Sequence, residues 1–197
     1  MLLFAPIFLF YTVTNIPAFK DEIKNTLDAF RSYCSNPDKF VNDTKIHTSG
    51  DHVRLIMWTV TWQEIKSHPF GVGTGNVDEF LSAGLTRNGQ NELAKKDAKN
   101  EIKYNPHNQF LQTTLEIGVF GIVIFLVLLF KSLQIGVRNM NLILIVLITN
   151  LFFNSLFESM LQRQSGIVFY VFWICLLVTE AHVKKSRLYE HFSSHTL

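Results

Sequence analysis

The sequence predicts an all-α fold: a polytopic membrane helix bundle of about four transmembrane helices with a large outer loop of amphipathic helices. Three observations carry that expectation. First, the 197 residues are 48% hydrophobic and only 17% charged. The charges avoid four segments altogether: 1–19, 117–130, 139–157 and 164–179. Second, residues 20–115 hold twelve Lys/Arg and twelve Asp/Glu, a net charge of zero over a long polar insert. Third, Lys131, Arg138, Lys184, Lys185 and Arg187 all fall on one side of a four-helix path. Short basic flanks mark the cytoplasmic side, so the large loop is expected on the opposite, outer face.

Spanning hydrocarbon takes about 20 apolar residues, with a range of roughly 17–25. Segments 1–19 and 139–157 have that length, and the other two reach it once interfacial residues are added. The expected order is a transmembrane helix at 1–19, a periplasmic loop at 20–105 and a helix at 106–131 that rises above the membrane and crosses it. Transmembrane helices at 139–158 and 164–181 follow, then a cytoplasmic tail at 182–197. A cleaved signal peptide fits 1–19 poorly, because it lacks a basic start and Phe19-Lys20 offers no small-residue cleavage site. A Met followed at once by hydrocarbon also suits a break inside a longer protein.

Composition excludes several classes. A net-neutral insert lacks the basic excess of a nucleic-acid surface. Cys34 lies in the loop and Cys175 inside the last span, so a bridge between them is not expected. No Cys/His spacing suggests a metal, and neither a metal nor a cofactor is expected.

Within the loop, 49-SGDHVRLIMWTVTWQEIKSHP-69 reads as a helix capped by Ser49 or Asp51 and stopped by Pro69. Arg54 and Trp58 are four apart and share a face, with Thr61 one turn on. One reading lays this helix along the bilayer, with Trp58 and Trp62 as interfacial anchors. The other aims the Arg54 guanidinium at a phosphate, which it can hold bidentately. Next, 69-PFGVGTGN-76 is either a tight turn back toward the membrane or a set of open backbone N–H groups for an anion. It is neither a Walker loop nor a dinucleotide fingerprint. Residues 77–85 form a short helical pattern, and 86–104 a lysine-rich connector.

The stretch 105-NPHNQFLQTTLEIGVFGIVIFLVLLF-130 changes from polar to hydrocarbon. Asn105 suits an N-cap and Pro106 the first helical position. A helix over 106–130 would be about 37 Å long, more than the roughly 30 Å of hydrocarbon. Its first turns therefore stand above the bilayer, which would account for Gln109, Gln112, Thr113 and Thr114. Gly118 and Gly121 would permit close helix approach at the point of entry. A helix N-terminus favours the neutral, proton-accepting form of His107. Asn108 could then orient the ring or a sugar hydroxyl. On spacing alone, a passive interfacial histidine and a general base both remain open.

At the outer turn, Arg163 departs from the positive-inside preference. It suits either a second phosphate ligand or an ion-pair partner for Glu158. Asn150 and Asn154 suit hydrogen bonds between helices.

The combination 107-HNQFLQTTLEIGVFG-121, a His-Asn pair followed by Gly-x-x-Gly, closely resembles the signature of the O-antigen ligase and O-antigen polymerase family. The upstream 54-RLIMWTVTWQEIKSHPFGVGTGN-76 is similar to that family's arginine helix and Pro-x-Gly-x-Gly turn. The ending 158-ESMLQRQSGIVFYVFW-173 is similar too. The resemblance covers residues from about 50 to 175. It implies a metal-independent membrane glycosyltransferase that takes a glycan from a polyprenyl-diphosphate carrier in the bacterial inner membrane. The acceptor would be a sugar hydroxyl of the lipid A core or another glycan. By resemblance His107 is the general base and Arg54 the diphosphate ligand, with Asn108, Arg163 and Trp58 as candidate substrate contacts. Members of this family have many more helices than four, with part of the donor site upstream. The chain would then correspond to a C-terminal portion, with N-terminal helices of the same protein and membrane lipid as its partners. The alternatives are a polymerase that extends carrier-linked repeats and a non-enzymatic or inactive membrane remnant. A transporter would call for charged groups deep within the spans, where the sequence has only Asn, Ser and Thr.

Overall fold

The computed structural model describes residues 17–42, 50–94 and 105–194, and among these every regular element is helical. The segment expected as the first transmembrane helix lies outside the described residues except for its last three positions. The helices are α1 (Pro17–Ser35), α2 (Pro37–Asn42), α3 (Gly50–Ser67), α4 (Val77–Arg87), α5 (Asn91–Ala94), α6 (Gln109–Ile117), α7 (Val119–Arg138), α8 (Leu142–Phe157) and α9 (Gln164–Ser194). A 3-10 turn, Met160–Gln162, joins α8 to α9.

Two apolar cores form, and they differ in kind. The first gathers Phe40 and Val41 of α2, Ile56, Val60 and Ile65 of α3, Val77, Leu81 and Leu85 of α4, and Leu115 of α6. Buried residues surround α3: Leu55, Ile56, Met57, Thr59, Val60, Thr61, Glu64 and Ile65 occupy nearly every direction about its axis. It is therefore the central helix of this first unit, with Trp62 exposed on its remaining face. Buried Glu64 is paired with Arg87 of α4.

The second core is a seam between α7, α8 and α9, made by Leu129, Leu144, Ile148, Leu151, Tyr170 and Leu177. Outside that seam the helices expose Phe120, Ile124, Leu128 and Phe130, then Ile143, Val146 and Phe153, then Val168, Phe169 and Phe172. Continuous apolar exposure on helices whose backbone bonds are internally satisfied suits a lipid environment. Two helices are long and apolar enough to cross a membrane, Val119–Arg138 and Gln164–Lys184, while Leu142–Phe157 is shorter. The last helix runs on to Ser194, so the expected tail at 182–197 continues α9 without a break through that residue.

The two cores meet through α6. Its Leu115 belongs to the first, and its Phe110 packs against the second. The single helix expected over 106–131 is in fact two. Gly118 takes φ 81° and ψ −169°, a region essentially reserved for glycine, and ends α6 there. Its neighbour across the break is the backbone of Phe70, which a Cβ on Gly118 would meet at 2.4 Å. The 69-PFGVG-73 turn splices the break. Val72 N–H donates to Leu115 O and Gly73 N–H to Glu116 O, satisfying carbonyls left over at the end of α6. Val119 N–H, the first of α7, donates to Pro69 O. With the Gly71 N–H also given to His68 O and the Asn76 N–H to Gly73 O, the stretch forms the expected tight turn, while Thr74 and Gly75 line a polar cavity.

Candidate functional site

The start of α6 differs from expectation in a way that shapes the site. The helix begins at Gln109, and its cap is Asn108, whose Oδ1 accepts from Leu111 N–H at 3.0 Å. Asn105 therefore caps no helix. Its Oδ1 accepts from His107 N–H at 2.8 Å and from Ser159 Oγ at 2.6 Å. His107 lies just before the helix, in a left-handed conformation with φ 49°. That conformation is uncommon for a residue with a side chain, and here the Asn105 turn imposes it.

Three further bonds fix this turn, to the end of α8, to the 3-10 turn after it and to α3. Asn108 Nδ2 donates to Leu156 O at 3.0 Å, Leu161 N–H donates to Gln109 Oε1 at 2.8 Å, and Trp58 Nε1 donates to Pro106 O at 2.7 Å. Gln109, Gln112 and Thr113 are buried, so their polarity serves contacts inside the protein and not exposure to water. The Trp58 indole N–H is likewise committed to the turn that carries His107.

The result is a three-residue cluster. His107 Nδ1 lies 3.2 Å from Glu158 Oε2, and Arg54 Nη2 lies 3.4 Å from Glu158 Oε1. One carboxylate thus joins a base candidate from the α6 turn to a cation from α3. The side chains of Arg54, Glu158 and His107 are 40%, 35% and 37% exposed, so the cluster is held by the fold yet open to a ligand. A carboxylate on Nδ1 selects the tautomer with its proton there and leaves the Nε2 lone pair available. The Arg54–Glu158 pair is half exposed, and such pairs contribute only about 0–1 kcal/mol. An anionic ligand can therefore compete for the guanidinium at small cost.

Arg163 stands apart from this cluster. It makes no ion pair among the described residues, and lines a polar cavity with Asn105, Gln112, Glu116 and Gln162. The expected alternative of an Arg163–Glu158 pair is not realised, because Glu158 is occupied by Arg54 and His107. Asn150 does bond across helices, accepting from Tyr170 Oη at 3.1 Å, whereas Asn154 bonds within its own helix. Both cysteines are free. No group of three metal-ligating residues occurs among the described residues.

What sequence reasoning missed is the role of Glu158. The signal was present: it is the single acidic residue between 117 and 179, and a lone carboxylate at the end of an apolar helix needs partners.

The chain is 33% identical over 93 residues to a provisionally named polysaccharide ligase of Rickettsia bellii (strain RML369-C), covering 46% of this chain and 21% of that protein. It is 31% identical over 83 residues to similarly named proteins of Rickettsia typhi and Rickettsia prowazekii, covering 41% of this chain and 19% of each. The matches thus span about a fifth of those relatives' length. No solved structure matches the chain. Residues 1–126, a stretch containing both Arg54 and His107, match the model of the O-antigen ligase family, and the chain belongs to that family.

Proposed function

We propose that this chain carries the acceptor-activating site of a membrane glycosyltransferase. The enzyme moves a glycan from a polyprenyl-diphosphate carrier to a sugar hydroxyl of the lipid A core at the periplasmic face. The observation that carries the reading is the Glu158 carboxylate bonded at one oxygen to Arg54 and at the other to His107.

Each residue has a chemical task. His107 Nε2 removes the proton from the attacking hydroxyl, while Glu158 holds the ring and stabilises the imidazolium as it forms. Arg54 leaves its weak pair with Glu158 and binds the diphosphate, where negative charge grows as the glycosyl bond breaks. Asn108 and Trp58 fix the turn that presents His107, and Arg163 lies where a polar substrate group can reach it. The sugar's new bond forms to the acceptor oxygen, the bond to the diphosphate oxygen breaks, and the proton passes to His107. No step requires a metal.

The test is a transfer assay on the intact gene product in membrane vesicles. His107→Ala is expected to lower transfer by about 10²–10⁴-fold, the usual worth of a positioned base, with membrane insertion unchanged. Near-normal transfer would remove the base assignment. The products separate the two family chemistries: capped lipid A core indicates a ligase, and lengthened carrier-linked chains indicate a polymerase.

A further inference from the structure

The backbone of the 69–73 turn closes the α6–α7 break, yet the Phe70 side chain enters neither apolar core. It is 75% exposed. Its ring stacks on that of Phe120 in the first turn of α7, with centroids 6.2 Å apart and planes inclined by 20°. Phe120 is itself 64% exposed. Two adjacent exposed rings of this size mark an interaction surface.

The position of the pair selects the partner. Phe120 heads an exposed apolar stripe that continues through Ile124 and Val127 at helical spacing, along a helix long and apolar enough to cross a membrane. Ile117, exposed just before the break, extends the same surface, and no charged residue falls between 117 and 130. Phe70 therefore carries the surface of a candidate span across onto the unit of α2, α3 and α4. On the other side of Phe70 the chain turns polar. Lys66 and Ser67 are exposed, and the Lys66 ammonium lies 5.7 Å from the ring of exposed Trp62. An apolar side chain bounded by a Trp–Lys pair matches the headgroup layer, where indoles and ammonium groups meet phosphate and water.

We propose that the 69–73 turn is a membrane contact of the first unit, with Phe70 seated among the acyl chains of the leaflet where α7 begins. Its partner is lipid hydrocarbon. The turn directly follows α3, which carries Arg54, and its backbone is bonded to the end of α6. Seating Phe70 thus sets the height of both helices at the bilayer surface. The proposal rests on α7 spanning the membrane and is independent of the base assignment.

The experiment places single nitroxides on the intact gene product in nanodiscs of phosphatidylethanolamine and phosphatidylglycerol. In a background made cysteine-free, Cys34→Ser and Cys175→Ser included, Phe70→Cys, Ile124→Cys and Ala83→Cys are each spin-labelled. All three sites are exposed, so the labels displace no core side chain. Power-saturation EPR then compares collisions with molecular oxygen, which concentrates in hydrocarbon, and with a nickel chelate, which stays in water. The label at Phe70 is expected about 5–10 Å below the lipid phosphates, the usual depth of an interfacial apolar side chain. The label at Ile124, four residues beyond Phe120, is expected about 6 Å deeper. The label at Ala83, on α4 one turn after exposed Glu79, is expected in water. If the chelate reaches Phe70 as freely as Ala83 while Ile124 is shielded, the contact is overturned and the span stands. If neither reagent reaches Phe70, protein covers it and the lipid partner is overturned. If Ile124 is itself in water, the membrane reading of α7 falls and the contact falls with it.

Discussion

At the scale of single residues, the site turns on a carboxylate with two partners. Glu158→Gln keeps the size of the side chain but removes the charge that orients His107 and restrains Arg54. The turnover number is expected to fall by about 10²-fold or more, because a misoriented or wrongly protonated imidazole cannot take the hydroxyl proton. Steady-state kinetics on membrane vesicles checks this, and an unchanged turnover would remove Glu158 from the mechanism. Arg54→Lys tests a different function. A lysine keeps the charge but loses the planar fork, so the KM for the carrier-linked donor should rise more than turnover falls. Trp58→Phe removes the N–H that holds Pro106 O. A loss of about 0.5–1.5 kcal/mol is expected, seen as faster amide exchange at His107 and Asn108. Arg54, Trp58, His107 and Asn108 are singled out in the sequence by their resemblance to the family's motifs, where spacing alone leaves their roles open; the structure brings Arg54 and His107 onto one carboxylate. Glu158 could be noticed but not assigned. It lies 51 residues from His107 and 104 from Arg54, and no local pattern encodes which distant partner a carboxylate meets.

At the scale of elements, the break at Gly118 organises the molecule. Apolar periodicity made 106–130 look like one helix, since 117–130 carries no charge and both flanks have helical spacing. What interrupts it is long-range: the backbone of the 69–73 turn occupies the space that a continuous helix would need. Gly118→Ala would force a side chain into a glycine-only conformation and against Phe70. The expected destabilisation is about 2–4 kcal/mol from strain and overpacking together, measurable as a lower melting temperature. A variant as stable as wild type would mean that the break is not fixed by this contact. The helix α4 was legible from its pattern at 77–85, as was the end of α3 before Pro69. The cap of α6 slipped by three residues, from Asn105 to Asn108, because both asparagines suit the position and only the tertiary bonds of Asn105 to His107 and Ser159 decide between them.

At the scale of the whole molecule, a unit of α2, α3 and α4 with its own core is joined through α6 to an apolar helix seam, and the cluster lies at the junction. The helical class and the apolar helices of the second part were legible in the sequence, because charge avoids 117–130 and 164–179. The number of spans was not, since α8 has only 16 residues and the first apolar segment lies largely outside the described residues. Sidedness is testable through the free, exposed Cys34. In a Cys175→Ser background, a membrane-impermeant maleimide should label Cys34 in intact spheroplasts if the loop unit is periplasmic, and labelling only after lysis would reverse the topology. The claim on which the function depends is that the Nε2 of His107 takes a proton during transfer. The most direct measurement is chemical rescue: glycan transfer by the intact gene product carrying His107→Ala, with and without added imidazole. Transfer is expected to collapse in the variant and to recover in proportion to the neutral imidazole concentration. A variant that transfers normally without imidazole would contradict a base at this position.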